Sequence, residues 1–361
     1  MSRLRRATLS LLLLAAAAST AQAAEAPACF PAADLAAKPG EEVPRPVSQK
    51  VVKVPAYHFS KPVEPTLRGV VRRVSLPAGK KVVALTFDLC ETSAEIAGYD
   101  GAIVDTLRRE KVAATFFAGG HWLATHPERA RQLEADPLFE VGNHSWSHKL
   151  LTGVDQVTLA TQVLAPQGQA AAVLADVKKM CPKADASAPT LFRFPAGICD
   201  KRALDFVNDN GLLAIEWDVV TGDPDPNQQA KAIEQVVLAK AKPGSIIIMH
   251  ANGRGHHTAE ALPAVIEGLK RKGYSFATIS DLLAMGTPEI VDHCTSDKIP
   301  EKKRSAPKVQ AGTPPAGTSP SATSAKSTTA PATTQKTKPV VGKAQPKQAA
   351  VPPSQGQVQP Q

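Results

Sequence analysis

Short apolar runs alternate with helix-like segments between residues 81 and 286. Val82–Phe87 is a continuous apolar run, as expected of a strand buried on both faces of a parallel sheet. Further strands are predicted at 113–118, 139–141, 191–194, 212–217, 245–249 and 274–278, and helices at 101–111, 127–135, 155–180 (with a break near Pro166), 201–209, 228–239, 258–272 and 280–285. This alternation predicts an α/β fold with a parallel sheet.

The residues before this region follow other patterns. Residues 1–23 combine three arginines, an apolar run and a small-residue site, which is typical of a secretory signal. We therefore expect an exported protein, periplasmic or secreted, without a stable membrane span, because the apolar run is too short to cross a bilayer. Residues 24–80, rich in Pro and Val, are predicted to form an extended N-terminal arm.

Residues 287–361 are predicted to be a disordered tail. From about Ile299 the chain is Pro, Ala, Ser, Thr, Gln and Lys without an aromatic residue, and such a segment cannot bury enough apolar surface to fold. Residues 298–361 carry a net charge of +9, residues 1–23 carry +3 and residues 24–297 carry −3. The domain therefore gives no support for nucleic-acid binding. The basic tail could touch an anionic cell wall or membrane surface, but we favour a solvated linker.

Five cysteines in an exported chain allow two disulfides and one free thiol. One scheme joins Cys29 to Cys294 and Cys181 to Cys199, and leaves Cys90 unpaired. The spacing alone does not determine the connectivity.

Polar residues recur just past the carboxyl ends of the predicted strands. Asp88, His144, Arg193, Asp218 and His250 all occupy such positions. Each alone has a structural explanation, such as a helix cap or an ion pair. Because α/β folds build their sites at this edge of the sheet, the shared placement favours one functional site.

The histidine pair indicates a metal. His144 and His148 are four residues apart, and on a helical turn such side chains face the same way and can bind one divalent cation. A cation there would activate water and polarise a carbonyl group.

The remaining polar residues supply acid and base groups. Asp88 could take the proton of the water, and Arg193 could hold Asp88 ionised. His250 could protonate a departing amine, with its charge supported by Asp223 or Asp218. Together with a metal, these groups predict amide hydrolysis.

The order of the motifs resembles the polysaccharide deacetylases of the NodB-homology type (carbohydrate esterase family 4). The motifs are Thr86-Phe87-Asp88, His144-Ser-Trp-Ser-His148, Arg193-Phe-Pro-Ala-Gly197, Trp217-Asp218 to Asp223, and Ile248-Met249-His250. The resemblance covers residues 81–286. It implies a distorted (β/α) barrel that removes acetyl groups from N-acetylated sugars.

The resemblance also implies a role for each matching residue. Asp88 is then the general base, Arg193 orients it, and His250 is the general acid. Asp223 is the carboxylate of the fourth motif, with Asp218 as second choice. The two histidines bind a divalent metal, usually zinc, and the backbone N–H of Ala196 helps to hold the oxyanion.

The sequence departs from the family pattern in the first motif. The family has a second aspartate directly after the base, which is the third metal ligand, but this chain has Leu89. Glu91 is the nearest replacement carboxylate, and Cys90 is a less favoured thiolate ligand. Ala196 and Pro224 replace aromatic residues of the family, which leaves the substrate preference open.

Three further residues are candidates for substrate contact. Trp217 belongs to the fourth motif, and Arg254 lies in a glycine-rich loop after the last motif. Tyr99, just before a predicted helix, is expected to line the cleft.

The sequence therefore predicts a metal-dependent N-deacetylase of an extracytoplasmic polysaccharide, with peptidoglycan preferred over a chitin-like glycan. Two alternatives remain. Leu89 motivates a catalytically degenerate glycan-binding protein on the same barrel. A hydrolase of small non-sugar amides is the other, although the export signal argues against it.

Overall fold

The computed structural model describes residues 29–47, 53, 55–57 and 60–294. The predicted signal and the tail beyond residue 294 lie outside these residues. The strands are β1 (Arg45–Pro46), β2 (Val70–Ser75), β3 (Val82–Leu89), β4 (Glu95–Ile96), β5 (Ala114–Ala118), β6 (Phe139–Asn143), β7 (Leu191–Phe192), β8 (Leu213–Ile215), β9 (Val219–Val220), β10 (Ile246–His250), β11 (Ser275–Phe276) and β12 (Thr287–Val291). The helices are α1 (Ala32–Leu35), α2 (Gly101–Glu110), α3 (Gly120–Thr125), α4 (Pro127–Ala135), α5 (Gln156–Met180), α6 (Lys201–Asp209), α7 (Ala230–Lys240), α8 (Thr258–Arg271) and α9 (Ile279–Ala284).

The main sheet runs in the order β12-β2-β8-β7-β6-β5-β3-β10-β9, and β11 pairs with β3. From β2 to β9 the neighbouring strands are parallel, whereas β12 is antiparallel to β2. The sheet curls into an incomplete barrel, which confirms the predicted distorted (β/α) barrel. A separate ribbon joins β1 to β4.

β3 is the central strand and is buried along its whole length. Its odd-numbered residues, including Leu85, Phe87 and Leu89, pack in the same apolar cluster as residues of α2 and α8. Its even-numbered residues Val82 and Ala84 belong to a second cluster on the opposite face of the sheet. Because side chains alternate along a strand, this pattern decides which residues of β3 face the barrel interior.

Both predicted boundaries of the domain differ from the structure. β2 lies within residues 24–80, assigned to the arm, yet it pairs with β8 in the main sheet. Residues 287–294, assigned to the tail, include β12, which covers the free edge of β2. An uncovered edge strand would leave unpaired backbone groups, so the ordered sheet extends beyond both predicted boundaries.

α5 continues through Pro166 instead of breaking there. A proline lacks the N–H that would bond to the carbonyl of Gln162, so the sequence predicts an interruption. Pro166 is buried, as are Val163 and Ala170 on the turns before and after it. Packing of both turns therefore holds the helix together across the missing hydrogen bond.

The disulfide scheme predicted above is wrong, although Cys90 is the free cysteine. The structure pairs Cys29 with Cys181 and Cys199 with Cys294, with Cα–Cα distances of 5.4 Å and 5.5 Å. β12 runs beside β2 and delivers Cys294 to the apolar cluster that Cys199 contacts. Cys29 instead packs on the cluster that contains Cys181.

Within the described part of the chain, no helix combines the length and the apolar character that a membrane span requires.

Candidate active site

The strand ends bring the candidate polar residues to one edge of the sheet. β3 and β10 pair in parallel with Asp88 opposite His250, so these residues end adjacent strands. His144 follows β6, and Arg193 follows the neighbouring strand β7. The parallel register therefore gathers residues that lie far apart in the sequence.

Arg193 and Asp88 form a buried ion pair. Nη1 of Arg193 donates to Oδ1 of Asp88 at 2.8 Å and to the hydroxyl of Thr86 at 2.9 Å. Nε of Arg193 donates to the carbonyl of Ile215 at 3.2 Å, and the guanidinium carbon lies 4.0 Å from the ring centroid of Phe117. Because Arg193 is fully buried, these contacts fix its positive charge against Asp88.

The surrounding charges keep Asp88 ionised. Burial by itself raises the pKa of a carboxyl group, but the positive charges of Arg193, His144 and His250 outweigh this effect and lower the pKa of Asp88. Oδ2 of Asp88 lies 3.5 Å from Nε2 of His144. Asp88 thus presents one carboxylate oxygen to the cluster, as a general base requires.

The histidine pair lies in a loop after β6, so the predicted helical turn is wrong. Ser145 and His148 have left-handed backbones, with φ of 64° and 53°, which turn this loop back on itself. The two imidazole rings still converge, with centroids 4.9 Å apart. Nδ1 of His144 lies 2.9 Å from the carbonyl oxygen of Arg193 and donates to it, so Nε2 faces the cluster.

Cys90 presents its sulfur to the histidine pair. Sγ of Cys90 lies 3.4 Å from Nε2 of His144. The ligand atoms of Cys90, His144 and His148 all lie within 4.8 Å of one another, as do those of Asp88, Cys90 and His250. The residue types favour Glu91 over Cys90 as the replacement ligand, and the structure reverses this order.

Glu91 is held by hydrogen bonds from Ala97 and Thr125. Its Oε2 accepts a hydrogen bond from the N–H of Ala97 at 3.0 Å, and the hydroxyl of Thr125 lies 3.0 Å from both carboxylate oxygens. Burial raises the pKa of Glu91 to about 7. Among the described residues, no cluster of ligand atoms at the spacing given above includes Glu91, contrary to the prediction that it replaces the missing aspartate.

His250 is held by Asp223. Nδ1 of His250 lies 3.1 Å from Oδ1 of Asp223, and the backbone N–H of His250 donates to Oδ2 at 2.7 Å. The hydroxyls of Thr221 and Thr258 donate to the same carboxylate, at 2.9 Å and 2.7 Å. Burial lowers the pKa of His250, but the charge of Asp223 outweighs it and raises this pKa well above its usual value. His250 is therefore suited to donate a proton.

Asp218 lies away from the site, contrary to the prediction that it could support His250. Its carboxylate accepts hydrogen bonds from the N–H of Ile246 at 2.9 Å and from the hydroxyl of Ser245 at 2.8 Å. These residues start β10, whereas His250 ends it, and four residues of strand span about 13 Å. Asp218 therefore fastens the beginning of β10.

Two clefts adjoin this cluster. One has a volume of about 260 Å³ and is lined by residues that include Asp88, Ala196, Trp217 and Asp223. The other has a volume of about 370 Å³ and is lined by residues that include Cys90, Glu91, Glu95 and Arg254. His148, Pro224 and His250 line both clefts. Of the residues predicted to contact the substrate, Ala196, Trp217 and Arg254 therefore lie on cleft walls.

The turn at Ala196 has a constrained backbone. Ala196 has φ of 57° within Pro195–Gly197, and Gly197 has φ of 64°. A Cβ at Gly197 would lie 2.7 Å from the indole of Trp217, so a side chain there would displace this cleft wall.

Tyr99 does not line a cleft, contrary to the prediction. Its side chain is buried, its ring centroid lies 6.1 Å from that of Trp122, and the guanidinium carbon of Arg129 lies 4.8 Å from its ring. Tyr99 belongs to the apolar cluster between β3 and the helices, so its role is in packing.

Several residues that support the site were not predicted from the sequence. Glu216 is buried, and its Oε1 accepts a hydrogen bond from the N–H of Phe194 at 3.1 Å, next to Arg193. Thr86 bonds to Arg193, and Thr221 and Thr258 bond to Asp223. Thr86 could have been found, because it belongs to the first motif. The others could not, because no local sequence pattern shows that one carboxylate or hydroxyl group will bond to a residue far away in the sequence.

The charges of the cluster fit a divalent cation. Burial lowers the pKa of His144, but the negative charges of Asp88 and Cys90 raise it to about 9. Burial raises the pKa of the Cys90 thiol, but the charges of His144 and His148 lower it well below its usual value. The site thus combines nitrogen, sulfur and oxygen ligand atoms, and its carboxylate and thiolate attract positive charge. Transition metals in proteins are bound by ligand atoms of these kinds.

Comparison with known proteins gives consistent similarities. A sequence profile described as "Polysaccharide deacetylase" matches residues 75–215. The peptidoglycan-N-acetylmuramic acid deacetylase PdaA of Bacillus subtilis (strain 168) is 30% identical over 206 residues, which are 56% of this chain and 72% of that protein. The peptidoglycan-N-acetylglucosamine deacetylase PgdA of Listeria monocytogenes is 31% identical over 245 residues, which are 64% of this chain. The chain spans 48% of the length of the Listeria protein.

A solved structure shares the fold. The Bc1960 peptidoglycan N-acetylglucosamine deacetylase, crystallised with a naphthalenyl-N-oxidanyl-benzamide, superposes with a TM-score of 0.51 at 24% sequence identity. The similarity covers 61% of this chain and 95% of that one. It supports the curled α/β architecture described above.

Proposed function

Because the chain belongs to the polysaccharide deacetylase family, we propose that it hydrolyses N-acetyl groups of amino sugars in a cell-wall polysaccharide. One observation carries the proposal. A carboxylate held ionised by Arg193 and an imidazole held protonated by Asp223 end two adjacent strands, beside a pair of converging histidines. Amide hydrolysis needs a base and an acid in this arrangement.

The two polar pairs divide the proton transfers. Asp88 accepts a proton from the attacking water through the oxygen that faces the cluster, while Arg193 keeps its other oxygen in place. His250 donates a proton to the departing sugar nitrogen, and Asp223 stabilises the charged imidazole beforehand. Each group starts in the protonation state that its step requires.

His144 and His148 would hold the divalent cation. We propose zinc, because imidazole nitrogens are common zinc ligands. When bound, the cation polarises the acetyl carbonyl and lowers the pKa of water. The backbone N–H of Ala196, in its left-handed turn on the cleft wall, is the candidate donor to the developing oxyanion.

The clefts fit an extended glycan. His148, Pro224 and His250 separate a cleft lined by Trp217 from one lined by Arg254. The indole of Trp217 offers a flat apolar surface to a sugar ring, and Arg254 offers a positive charge beside Glu95. A chain of sugars that crosses both clefts would place one acetamide at the polar cluster.

Peptidoglycan is the proposed polymer. The names of the relatives support it, since one acts on N-acetylmuramic acid and another on N-acetylglucosamine of peptidoglycan. An export signal at residues 1–23 would bring the protein to this polymer, outside the cytoplasm.

A glycan-binding protein without catalysis is the second candidate, because Leu89 replaces a metal ligand of the family. Against it stands the complete base and acid pairing of Asp88 and His250, which a binding function does not need. A hydrolase of small amides has no comparable support, because the relatives named above are deacetylases of peptidoglycan.

The test is mass spectrometry of sugars after incubation with the full chain. Peptidoglycan fragments and acetylated chitooligosaccharides are offered separately, and loss of acetyl is assigned to each sugar. We expect deacetylated peptidoglycan fragments, and a loss of rate of at least about 100-fold in Asp88→Asn. His257→Gln is the control and should keep the full rate, because the His257 side chain bonds to Glu260 on the exposed surface. Glycan binding without loss of acetyl would refute catalysis.

A further inference from the structure

We propose that Cys90 is the third protein ligand of the metal, as a thiolate beside His144 and His148. This inference rests on the proposed function, since it concerns the cation of the same site. It goes beyond that function by assigning a metal ligand that the family motif does not contain. The family has a carboxylate ligand at the position of Leu89, whereas the ligand proposed here is the sulfur of the next residue, Cys90.

The pleat of β3 explains why Cys90 faces the site. Thr86 and Asp88 both bond to Arg193 on the interior face of the sheet. Cys90 is the next residue with the same orientation, and its sulfur contacts His144. Leu89 between them is fully buried in the cluster that packs against the helices. The strand therefore presents positions 88 and 90 to the cluster and turns position 89 away from it.

The distances suit a tetrahedral metal. Zinc binds sulfur at about 2.3 Å and imidazole nitrogen at about 2.0 Å, so two such ligands in tetrahedral geometry lie about 3.5 Å apart. Sγ of Cys90 lies 3.4 Å from Nε2 of His144. These two atoms and the ligand nitrogen of His148 all lie within 4.8 Å of one another. Shifts of an ångström or less would bring them to one ion.

The orientation of His144 agrees with this assignment. Its Nδ1 donates to the carbonyl oxygen of Arg193, and Nε2 points at the sulfur. Metal-binding histidines commonly use one nitrogen for the metal and the other for such a hydrogen bond. Arg193 thereby positions both the base, through its guanidinium, and the metal ligand, through its carbonyl.

The competing donor is engaged elsewhere. Glu91 accepts hydrogen bonds from Ala97 and Thr125, and would have to break them to reach the histidines. Cys90 is not part of a disulfide, and its sulfur already contacts His144. A thiolate ligand also favours zinc or cobalt over magnesium or manganese, which prefer oxygen donors.

A different role for Cys90 would be that of a nucleophile. Its sulfur lies in one cluster with His250 and Asp88, and a thiolate beside a histidine can attack an acyl group. The experiment therefore separates ligation from nucleophilic attack.

Cobalt absorption is the direct test. The full chain is freed of metal with a chelator and titrated with Co²⁺, and the near-ultraviolet band of thiolate-to-cobalt charge transfer is recorded. We expect one cobalt per chain together with this band. Cys90→Ser should lose the band and weaken cobalt binding at least about 100-fold, more than the loss of an outer-shell partner does. Glu91→Gln is the matched control and should keep both.

Cys90→Asp guards against a folding defect. It replaces sulfur by a carboxylate at the same position, so it should bind cobalt more tightly than Cys90→Ser does, without the charge-transfer band. Circular dichroism of each variant reports whether the fold is retained.

The outcomes separate this inference from the proposed function. Stoichiometric cobalt without the band, or unchanged cobalt affinity in Cys90→Ser, would overturn the sulfur ligand even if acetate is released. Acetate release by metal-free protein that alkylation of Cys90 abolishes would overturn it in favour of a nucleophile. The band without release of acetate from any glycan would support the ligand and refute the deacetylase.

Discussion

At the scale of single residues, two ion pairs set two opposite protonation states within one site. Arg193 lowers the pKa of Asp88, so that the carboxylate is ready to accept a proton. Asp223 raises the pKa of His250, so that the imidazole is ready to donate one. Both partners are buried, which strengthens their effect relative to an exposed pair.

Replacement of Asp223 by Asn should shift the pH profile of activity. The neutral amide can no longer raise the pKa of His250, so the imidazole loses its proton at a lower pH. Because the acid works in its protonated form, the alkaline limb of kcat should move to lower pH, and kcat should fall at least about tenfold. Steady-state rates of acetate release across pH measure both effects.

Asp218→Asn is the control for this change. Asp218 fastens the start of β10 and does not contact His250, so its loss should leave the alkaline limb in place. An equal shift in both variants would contradict the pairing of Asp223 with His250.

Sequence patterns located the residues of the polar cluster better than the residues that support them. Asp88, Arg193 and His250 stand at strand ends, and parallel strands must bring such ends together. Tyr99 and Asp218 lie near strand or helix ends too, but their side chains turn into the core or towards the start of β10. Sequence position does not reveal that direction.

At the scale of elements, the side chains of β3 and of the residue that follows it point alternately to the polar cluster and to the apolar core. Asp88 and Cys90 face the polar cluster, whereas Leu89 contributes to the apolar core. The choice between positions 89, 90 and 91 depends on how far the pleat continues past the strand. Residue types alone favoured the carboxylate of Glu91, and only the backbone path distinguishes it from Cys90.

Leu89→Asp should destabilise the protein instead of restoring a family ligand. The substitution buries a carboxyl group among apolar side chains, which should lower the free energy of unfolding by at least about 3 kcal/mol. Leu89→Met conserves volume and should cost less than about 1.5 kcal/mol. Urea unfolding followed by circular dichroism compares the two. A stable Leu89→Asp protein that binds metal more tightly than the wild type would show that position 89 faces the site.

Most of the longer elements followed from the sequence, whereas the helices α1 and α3 and the strands β1, β4, β9 and β12 were not predicted. α4 and α6 begin and end where the hydrophobic pattern predicts, because an amphipathic pattern reports the buried face directly. α5 and the loop after β6 differ, for opposite reasons. Packing carries α5 past Pro166, and left-handed residues at Ser145 and His148 replace the expected helical turn.

At the scale of the whole molecule, the segments on either side of the predicted domain are fastened to it. The disulfide Cys29–Cys181 joins the arm to the end of α5, across a sequence separation of 152 residues. The disulfide Cys199–Cys294 joins the segment just after β12 to the segment just before α6, across 95 residues. Sequence spacing could not reveal these pairs. The position of Cys294 depends on β12 completing the sheet beside β2, and that of Cys29 depends on the packing of the arm against the cluster that contains Cys181.

Removal of the second disulfide should weaken the sheet edge. The double variant Cys199→Ser with Cys294→Ser should lose about 2–5 kcal/mol of unfolding free energy, since a long loop is no longer closed in the unfolded chain. The unfolded, unreduced wild type should show one free thiol, that of Cys90. Thiol titration and peptide mapping check the pairing, and a fragment that joins Cys29 to Cys294 would contradict it.

We propose that this site releases acetate from a cell-wall glycan with the help of a bound divalent metal. The most direct measurement is acetate release from peptidoglycan by the full chain, made before chelation, after chelation and after zinc is returned. We predict that release stops on chelation, returns with zinc, and stays absent in Asp88→Asn under all three conditions. Release that persists after all metal has been removed, or no release by zinc-loaded protein, would contradict the claim.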